Sequence, residues 1–276
     1  MGISRIGDER LQARFFRLIL ELLDRAWELG YTNWDTASDY GDSEVLIGKW
    51  FKLHPERRAD KFTGHQVRIH KFFSECLEVS LQKMGVDYID LYCIHRLDPK
   101  VPVEKTMELM TRAKNDGKIK AMGISQSASN SIRRAYAVTP VEAVQAECSL
   151  ITVVAYAPLG RGFLTGQNQI KSSDDFAPDE FRCIVPRFSP ENFAKNLVLA
   201  DRFKTFADKK GCTPGQLALA WLSAKGEDII PIPGTKKLKY MEENVEALKV
   251  HLSKEQVQEI REEVEKAEVY PVTVEL

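Results

Sequence analysis

Three polar side chains stand just past apolar, strand-like runs: Asp35 and Tyr40 in NWDTASDYG, and His95 at the close of YIDLYCIH. A carboxylate, a phenol and an imidazole can each give or take a proton. In a parallel α/β barrel the loops that follow the strands form the active face, so these three are the side chains to weigh first. Each also has an ordinary structural use. Asp35 serves equally as a helix cap or loop acid, Tyr40 as a half-buried anchor whose hydroxyl finds a backbone partner, and His95 as a satisfied structural histidine. Taken singly, none defines a reaction.

The elements that must position them can be read from periodicity. Apolar residues at Leu11, Phe15, Ile19, Leu22, Ala26 and Leu29 recur near the helical repeat and predict a helix that Gly30 closes. YTNWDT reads as a strand, and GDSEVLIGKWF as a helix with Ser43 as its N-cap and Leu46 and Trp50 on its inner face. A helix from about Val67 to Met84 follows, then the strand YIDLYCIH, a helix from Pro102 to Gly117 and the strand AMGIS. A helix over Ser129 to Ala137 leads to the strands AVQAE and VVAYAPL. Past a polar loop from Gly166 to Ser189, helices begin at Glu191 and at Thr213-Pro214, where Gln216 is spaced for a capping box. The strand IIPIPGT, a short helix to about Leu248 and a last helix from Ser253, with Val257, Ile260, Val264 and Ala267 on one stripe, complete the chain. Strands separated by helices, with no composition break or Gly/Ser linker, predict a single parallel α/β domain over residues 1–276. About seven strands favour a (β/α)8 TIM barrel over a doubly wound sheet.

Composition narrows the partners. Thirty-nine Lys and Arg stand against 40 Asp and Glu, and a pI of about 6.6 leaves no positive surplus to draw nucleic acid or an anionic membrane. A small neutral or anionic molecule is the expected ligand. No apolar stretch is long enough to span a bilayer, and MGISRIGDER has no apolar signal core, so a cytoplasmic protein is expected. The five cysteines are scattered and read as reduced thiols, without zinc or redox spacing. No G-x-G-x-x-G follows a strand, GRGFLTG is too loose a match for one, and neither H-x-H nor H-E-x-x-H occurs.

Five stretches in order, DTASDYGDSEVLIGKW, DYIDLYCIHR, GKIKAMGIS, VVAYAPLGRGFLTG and IPGTKKLKYMEEN, resemble the successive motifs of the aldo-keto reductases, from about residue 20 to the C-terminus. Within that family they are similar to a fungal and plant branch. The resemblance implies reduction of an aldehyde or ketone with NADPH, no metal, and an Asp, Tyr, Lys, His set. Carried onto this chain, the set is Asp35, Tyr40, Lys61 (from DKF, which resembles the family's strand ending in K-F-G) and His95. The chemistry explains those types. A hydride arriving at a carbonyl carbon leaves charge on oxygen that must be stabilised and protonated together. A tyrosine can donate that proton, and the resemblance implies that Tyr40 is that tyrosine. Its ordinary pKa near 10 is high for neutral solution, so a lysine ammonium held by an aspartate lowers it, while the histidine orients the carbonyl.

For the cofactor, the resemblance puts Ser125 and Gln145 on the nicotinamide carboxamide and Tyr156 on the ring, followed by Ala157, Leu159 and Gly160 of AYAPLG. Gly234, Thr235, Lys236 and Asn244 go to the adenosine end, where a helix opening with Lys236, Lys237 and Lys239 offers N–H groups and cations to a phosphate and favours NADPH over NADH. Structural alternatives are a turn serine, a strand-end glutamine, a core tyrosine and a solvated charged face. Against the family pattern three segments are expected to be shortened: a first strand before MGIS, the strand around RRADKFTG, and the crossover in AECSLITVVAYAPLG. An incomplete barrel follows, and with it a second reading, a nucleotide-binding protein whose catalysis is impaired.

Overall fold

The computed structural model describes residues 9–31, 33–58, 62–67, 73–146, 153–165, 172–177 and 180–266. They fall into two compact units, one reaching to Tyr156 and taking in Gly234–Met241, the other holding Ala157–Pro233 and the chain from Glu242.

The first unit alternates helix and strand: α1 (Glu9–Glu28), β1 (Asn33–Ala37), α2 (Ser43–Leu53), β2 (Phe62–Val67), α3 (Phe73–Met84), β3 (Ile89–Ile94), α4 (Val103–Asn115), β4 (Ile119–Ser125), α5 (Ser129–Val138), β5 (Ala143–Ala146) and β6 (Val153–Tyr156). Consecutive strands pair in parallel from β1 to β6. Every residue of β3 is buried, as a strand covered on both faces requires, which is why its sequence is nearly continuous in apolar residues. The core joins Tyr92, Ile94, Ile119, Met122 and Ile124 of the strands to Trp50, Leu77, Met84, Met107 and Met110 of the helices. The α1 stripe reaches the same core, and Gly30 ends that helix with a φ of 80°.

Helix α2 is fixed by aromatic packing. Trp50 is fully buried, with its ring 4.6 Å from Trp34 and 5.8 Å from Trp27, and its Nε1–H donates to Asp24 Oδ1 at 3.0 Å, joining α2 to α1. The opposite side of α2 meets α3 so closely that a Cβ on Gly48 would lie 2.4 Å from the Lys83 carbonyl oxygen. Beside it the fully buried Glu44 accepts from Lys83 Nζ at 2.9 Å.

Three local expectations are corrected. Asp42, not Ser43, is the N-cap of α2, because the Ser43 hydroxyl is engaged with Thr36 Oγ1 at 2.6 Å. Val67 ends a strand rather than starting a helix, and α3 begins at Phe73. The run FTGHQV has little strand pattern of its own; it is held extended by pairing with β1 on one side and β3 on the other. The third concerns the helix assigned to the lysine run: α8 (Leu238–Glu246) starts after Lys236 and Lys237, and Thr235 Oγ1 accepts from the Lys237 N–H at 3.1 Å.

The connection expected to be short, residues 147–152, lies outside the described residues, but the strands on either side of it are described. Parallel neighbours usually need a connection of a dozen residues or more, yet β5 ends at Ala146 and β6 starts at Val153. Their pairing covers only Val144↔Val153, Gln145↔Val154 and Ala146↔Ala155. By that register the end of β5 and the start of β6 lie two residues apart along the strand direction and one strand spacing apart, a separation of roughly 8 Å. A four-residue strand does not demand a helix-length return.

In the second unit, Thr213 and Gln216 form the expected capping box at the start of α7 (Pro214–Ser223), and α6 (Pro190–Lys210) ends at Gly211 with a φ of 72°. Their facing stripes bury Leu199, Phe203 and Ala207 with Leu217 and Ala218, and Ile260 of α9 (Lys254–Lys266) joins them. Strand β7 (Ile229–Ile232) also belongs here. Within the stretch read as a polar loop, short 3-10 turns carry Phe176 and Phe188 onto Phe163 and Phe193. Among the described residues no helix is long and apolar enough to cross a membrane.

Candidate active site

Parallel pairing puts the C-terminal ends of β1, β3, β4 and β5 at one end of the first unit, and the polar residues sit there. Asp35 lies near the end of β1 and accepts a hydrogen bond from Gln145 Nε2 on β5 at 3.1 Å. That bond spans four strand positions, so both side chains are on the inner face. The same face carries Cys93, whose thiol is pushed far up by burial and, secondarily, by the Asp35 charge; it stays protonated at neutral pH. Beside Cys93 the sheet is tight. A Cβ on Gly123 would stand 2.4 Å from Cys93 Sγ and 3.0 Å from the Ala143 carbonyl oxygen, so only glycine leaves room at this level of β4.

Past Ala37 the chain turns sharply. The Tyr40 N–H donates to the Ala37 carbonyl at 3.0 Å and Gly41 adopts a φ of 62°, a conformation glycine takes without strain. This turn sets Tyr40 over His95, edge to face, with ring centroids 6.2 Å apart. The Tyr40 side is open, with the residue 51% exposed, whereas the His95 side chain is 16% exposed. An exposed phenol with a sheltered imidazole behind it is an arrangement chemically able to pass a proton to an entering group.

Ser125 and Gln145 are register partners at the ends of β4 and β5, and both are buried, at 1% and 3% exposure. Buried polar groups at strand ends are costly unless they have partners; Gln145 spends one amide hydrogen on Asp35. Tyr156 ends β6, and its hydroxyl accepts from Gln126 Nε2, while the Gln126 N–H donates to the Gln145 carbonyl at 2.9 Å. Gln126 achieves this with a φ of 47°, unusual outside glycine. Gly234 and Lys236 are exposed and Thr235 half-buried, just before α8 in the first unit. In the second unit Ala157 has a φ of 47°, Leu159 packs into the α6–α7 core, Gly160 is buried with a φ of 57°, and Asn244 is half-buried on α8.

Of the four residues expected to do chemistry, then, Asp35, Tyr40 and His95 lie in the first unit at the same strand-end region. Lys61 lies outside the described residues. The strand that follows it, β2, begins at Phe62 opposite Asn33, the first residue of β1, and the positions level with Thr36 and Ala37 are His65 and Gln66. Two residues were missed from sequence. Asp39, between the two named members of the turn, approaches His95 Nδ1 at 3.8 Å through Oδ1. Gln126, directly after Ser125, holds Tyr156. Both stood inside motifs already singled out, but neither could be told from a solvated loop residue without coordinates.

A parallel α/β sheet with proton-handling groups and buried amides at its strand ends defines a barrel-type enzyme architecture. The aldo/keto reductase family model matches residues 1–265, and the chain belongs to that family. An aldo-keto reductase of Strobilurus tenacellus, str7, is 41% identical over 302 residues, covering 98% of this chain and 88% of its own. The aldo-keto reductase yakc [NADP(+)] of Schizosaccharomyces pombe is 44% identical over 283 residues, covering 90% and 83%. Among solved structures, a glycerol dehydrogenase from Gluconobacter oxydans superposes with a TM-score of 0.79 at 23% identity over 93% of this chain and 88% of its own. The fold class is therefore the (β/α)8 barrel, and the protein is an oxidoreductase of the aldo-keto reductase type. The alignment to the Strobilurus protein runs to 302 positions, more than the 276 residues of this chain, so part of it falls opposite gaps in this chain.

Proposed function

We propose that this protein reduces an aldehyde or ketone to an alcohol with NADPH, as a single barrel domain in the cytoplasm, with Tyr40 as proton donor. One observation carries the proposal: Asp35, Tyr40 and His95 occupy one strand-end region of one compact unit, with Ser125 and Gln145 buried beside Asp35. Bound NADPH would supply the hydride. The residues present suit such a cofactor: buried Ser125 and Gln145 offer a hydroxyl and an amide to a carboxamide, and Tyr156 presents a ring held by Gln126. The resemblance also assigns Ala157, Leu159 and Gly160, which follow Tyr156 in the sequence, to the cofactor, and Gly234, Thr235, Lys236 and Asn244 to its adenosine end. A relative 44% identical to this chain carries NADP(+) in its name, in line with that choice.

Tyr40 gives its hydroxyl proton to the carbonyl oxygen, and His95 fixes that oxygen by a hydrogen bond. Asp35 is the anion that orients Gln145 from the floor of the site. Lys61 is the proposed cation that acidifies Tyr40. Mixing the protein with NADPH and a panel of aromatic and aliphatic carbonyls, and following loss of the reduced nicotinamide absorbance, tests the reading; no turnover across the panel removes it.

A second reading is favoured by the register of β2 and by the gaps in this chain's alignment to its Strobilurus relative: a barrel that binds the nucleotide but reduces poorly. Tight NADPH binding without turnover selects it. In either reading Lys236→Ala is expected to weaken NADPH about tenfold while leaving NADH nearly unchanged, because one charge-assisted contact to the extra phosphate contributes about 1.5 kcal/mol. Fluorescence titration with both nucleotides measures this, and equal losses remove Lys236 from the phosphate.

A further inference from the structure

We infer that Gln126 is a positioning residue: its amide latches the Tyr156 hydroxyl and fixes the plane in which that ring meets the nicotinamide. The inference rests on the reductase reading above and deepens it. Gln126 follows directly on β4, Gln145 lies on β5 and Tyr156 ends β6. The Gln126 backbone N–H donates to the Gln145 carbonyl at 2.9 Å, and its side-chain Nε2 donates to the Tyr156 hydroxyl. One residue thus ties three successive strand ends together. The tie crosses the β5–β6 seam, where three residue pairs hold the sheet.

This arrangement works against stability locally. Gln126 adopts a φ of 47°, in the left-handed region that a residue with a Cβ enters under strain. Its Oε1 is buried and accepts no hydrogen bond from any described residue, so it loses the solvation a carbonyl oxygen has in water. The strand ends do not require either feature. The bond to Gln145 uses only a backbone N–H, which any residue but proline supplies. Asparagine or glycine would suit the left-handed backbone better. What glutamine adds over asparagine is reach, an amide carried one methylene further, to a hydroxyl two strands along the sheet. A strained backbone and an orphaned acceptor without local benefit mark a residue kept for a site.

The Tyr156 ring is what the latch acts on. A tyrosine turns about two side-chain bonds, and a hydrogen bond at its far end restrains both while leaving the ring faces to other contacts. Stacking of flat rings depends on their tilt and offset. A Tyr156 released to swing would therefore hold the nicotinamide less tightly, and Gln126 acts through that ring without touching the reacting atoms.

The test separates the latch from the fold and from the reaction. In full-length protein labelled with carbon-13 at the tyrosine Cζ, the Tyr156 signal is assigned among the eight tyrosines through Tyr156→Phe. It is expected to shift in Gln126→Asn, while the melting temperature stays at or above that of the wild type, because asparagine suits the backbone and loses only the reach. NADPH is expected to bind Gln126→Asn about fivefold more weakly, the worth of one ordinary hydrogen bond, with the same loss in Tyr156→Phe and in the double variant. Adenosine 2′,5′-bisphosphate, which has the extra phosphate but no nicotinamide, is expected to bind the wild type and every variant alike. Additive losses in the double variant, equal weakening of the bisphosphate, or an unmoved Tyr156 signal overturns the inference and leaves the reductase reading intact. A lowered melting temperature without selective loss of NADPH marks a purely structural tie and overturns it too. A wild type that binds NADPH with the expected pattern but turns over no carbonyl supports the latch and removes the reductase reading; one that binds no NADPH removes both.

Discussion

Tyr40→Phe is expected to lower the rate of carbonyl reduction by about 10²–10⁴-fold, the usual contribution of a positioned general acid, while leaving NADPH affinity within about twofold. The change removes one oxygen from a residue that is 51% exposed, while its backbone turn and its ring contact with His95 do not use that oxygen and are retained. Because the phenol acts only as charge develops on the substrate oxygen, the loss should appear in kcat and kcat/KM alike, not in KM. Steady-state kinetics and nucleotide titration on the same preparation separate the two quantities. Retained turnover would transfer the proton-donor role elsewhere, whereas parallel loss of NADPH binding would show that Tyr40 supports the cofactor rather than the chemistry.

The second large effect is structural. Gly48→Ala should destabilise the protein by about 3 kcal/mol, the upper part of the range for inserting a methyl group into a filled interior. A Cβ there would meet the Lys83 carbonyl oxygen at 2.4 Å and the Met84 Cα at 2.8 Å, and both are backbone atoms that no rotamer change can move aside. The helices would have to separate, disturbing the Glu44–Lys83 pair and the packing of Trp50, a large share of the stability of a typical domain. A lowered midpoint of urea unfolding at constant slope checks this, and an unchanged midpoint contradicts the close approach of α2 and α3.

Sequence and structure agree most where local chemistry is decisive. The Thr213–Gln216 capping box, the α1 stripe with its Gly30 stop and the buried run of β3 each needed only their own residues. The strand Phe62–Val67 is not legible in the sequence, which reads Val67 as a helix start, because a strand flanked by two partners owes its shape to them rather than to FTGHQV itself. Ser43 failed for a related reason: its hydroxyl could satisfy a helix N–H or a neighbour, and Thr36 was the neighbour the fold supplied. In the site, Asp35 and His95 could be named from position alone, but the pairing of Asp35 with Gln145, 110 residues away, is a product of strand order. Asp39 is the sharpest case. One residue before Tyr40, it reads as a solvated turn acid until the end of β3 brings His95 to it.

The β5–β6 seam has a dynamic consequence. Three paired residues and a short tether give it fewer bonds to break than β3–β4, which pairs five residues and is buried throughout β3. Amide hydrogens along Val144–Ala146 and Val153–Ala155 should then exchange with solvent by local opening, well before the sheet centre, which waits for global unfolding. Gln145 and Tyr156 both sit on this seam, so a dinucleotide engaging the two would act as a clasp, and slowed exchange there would report its arrival before any product forms.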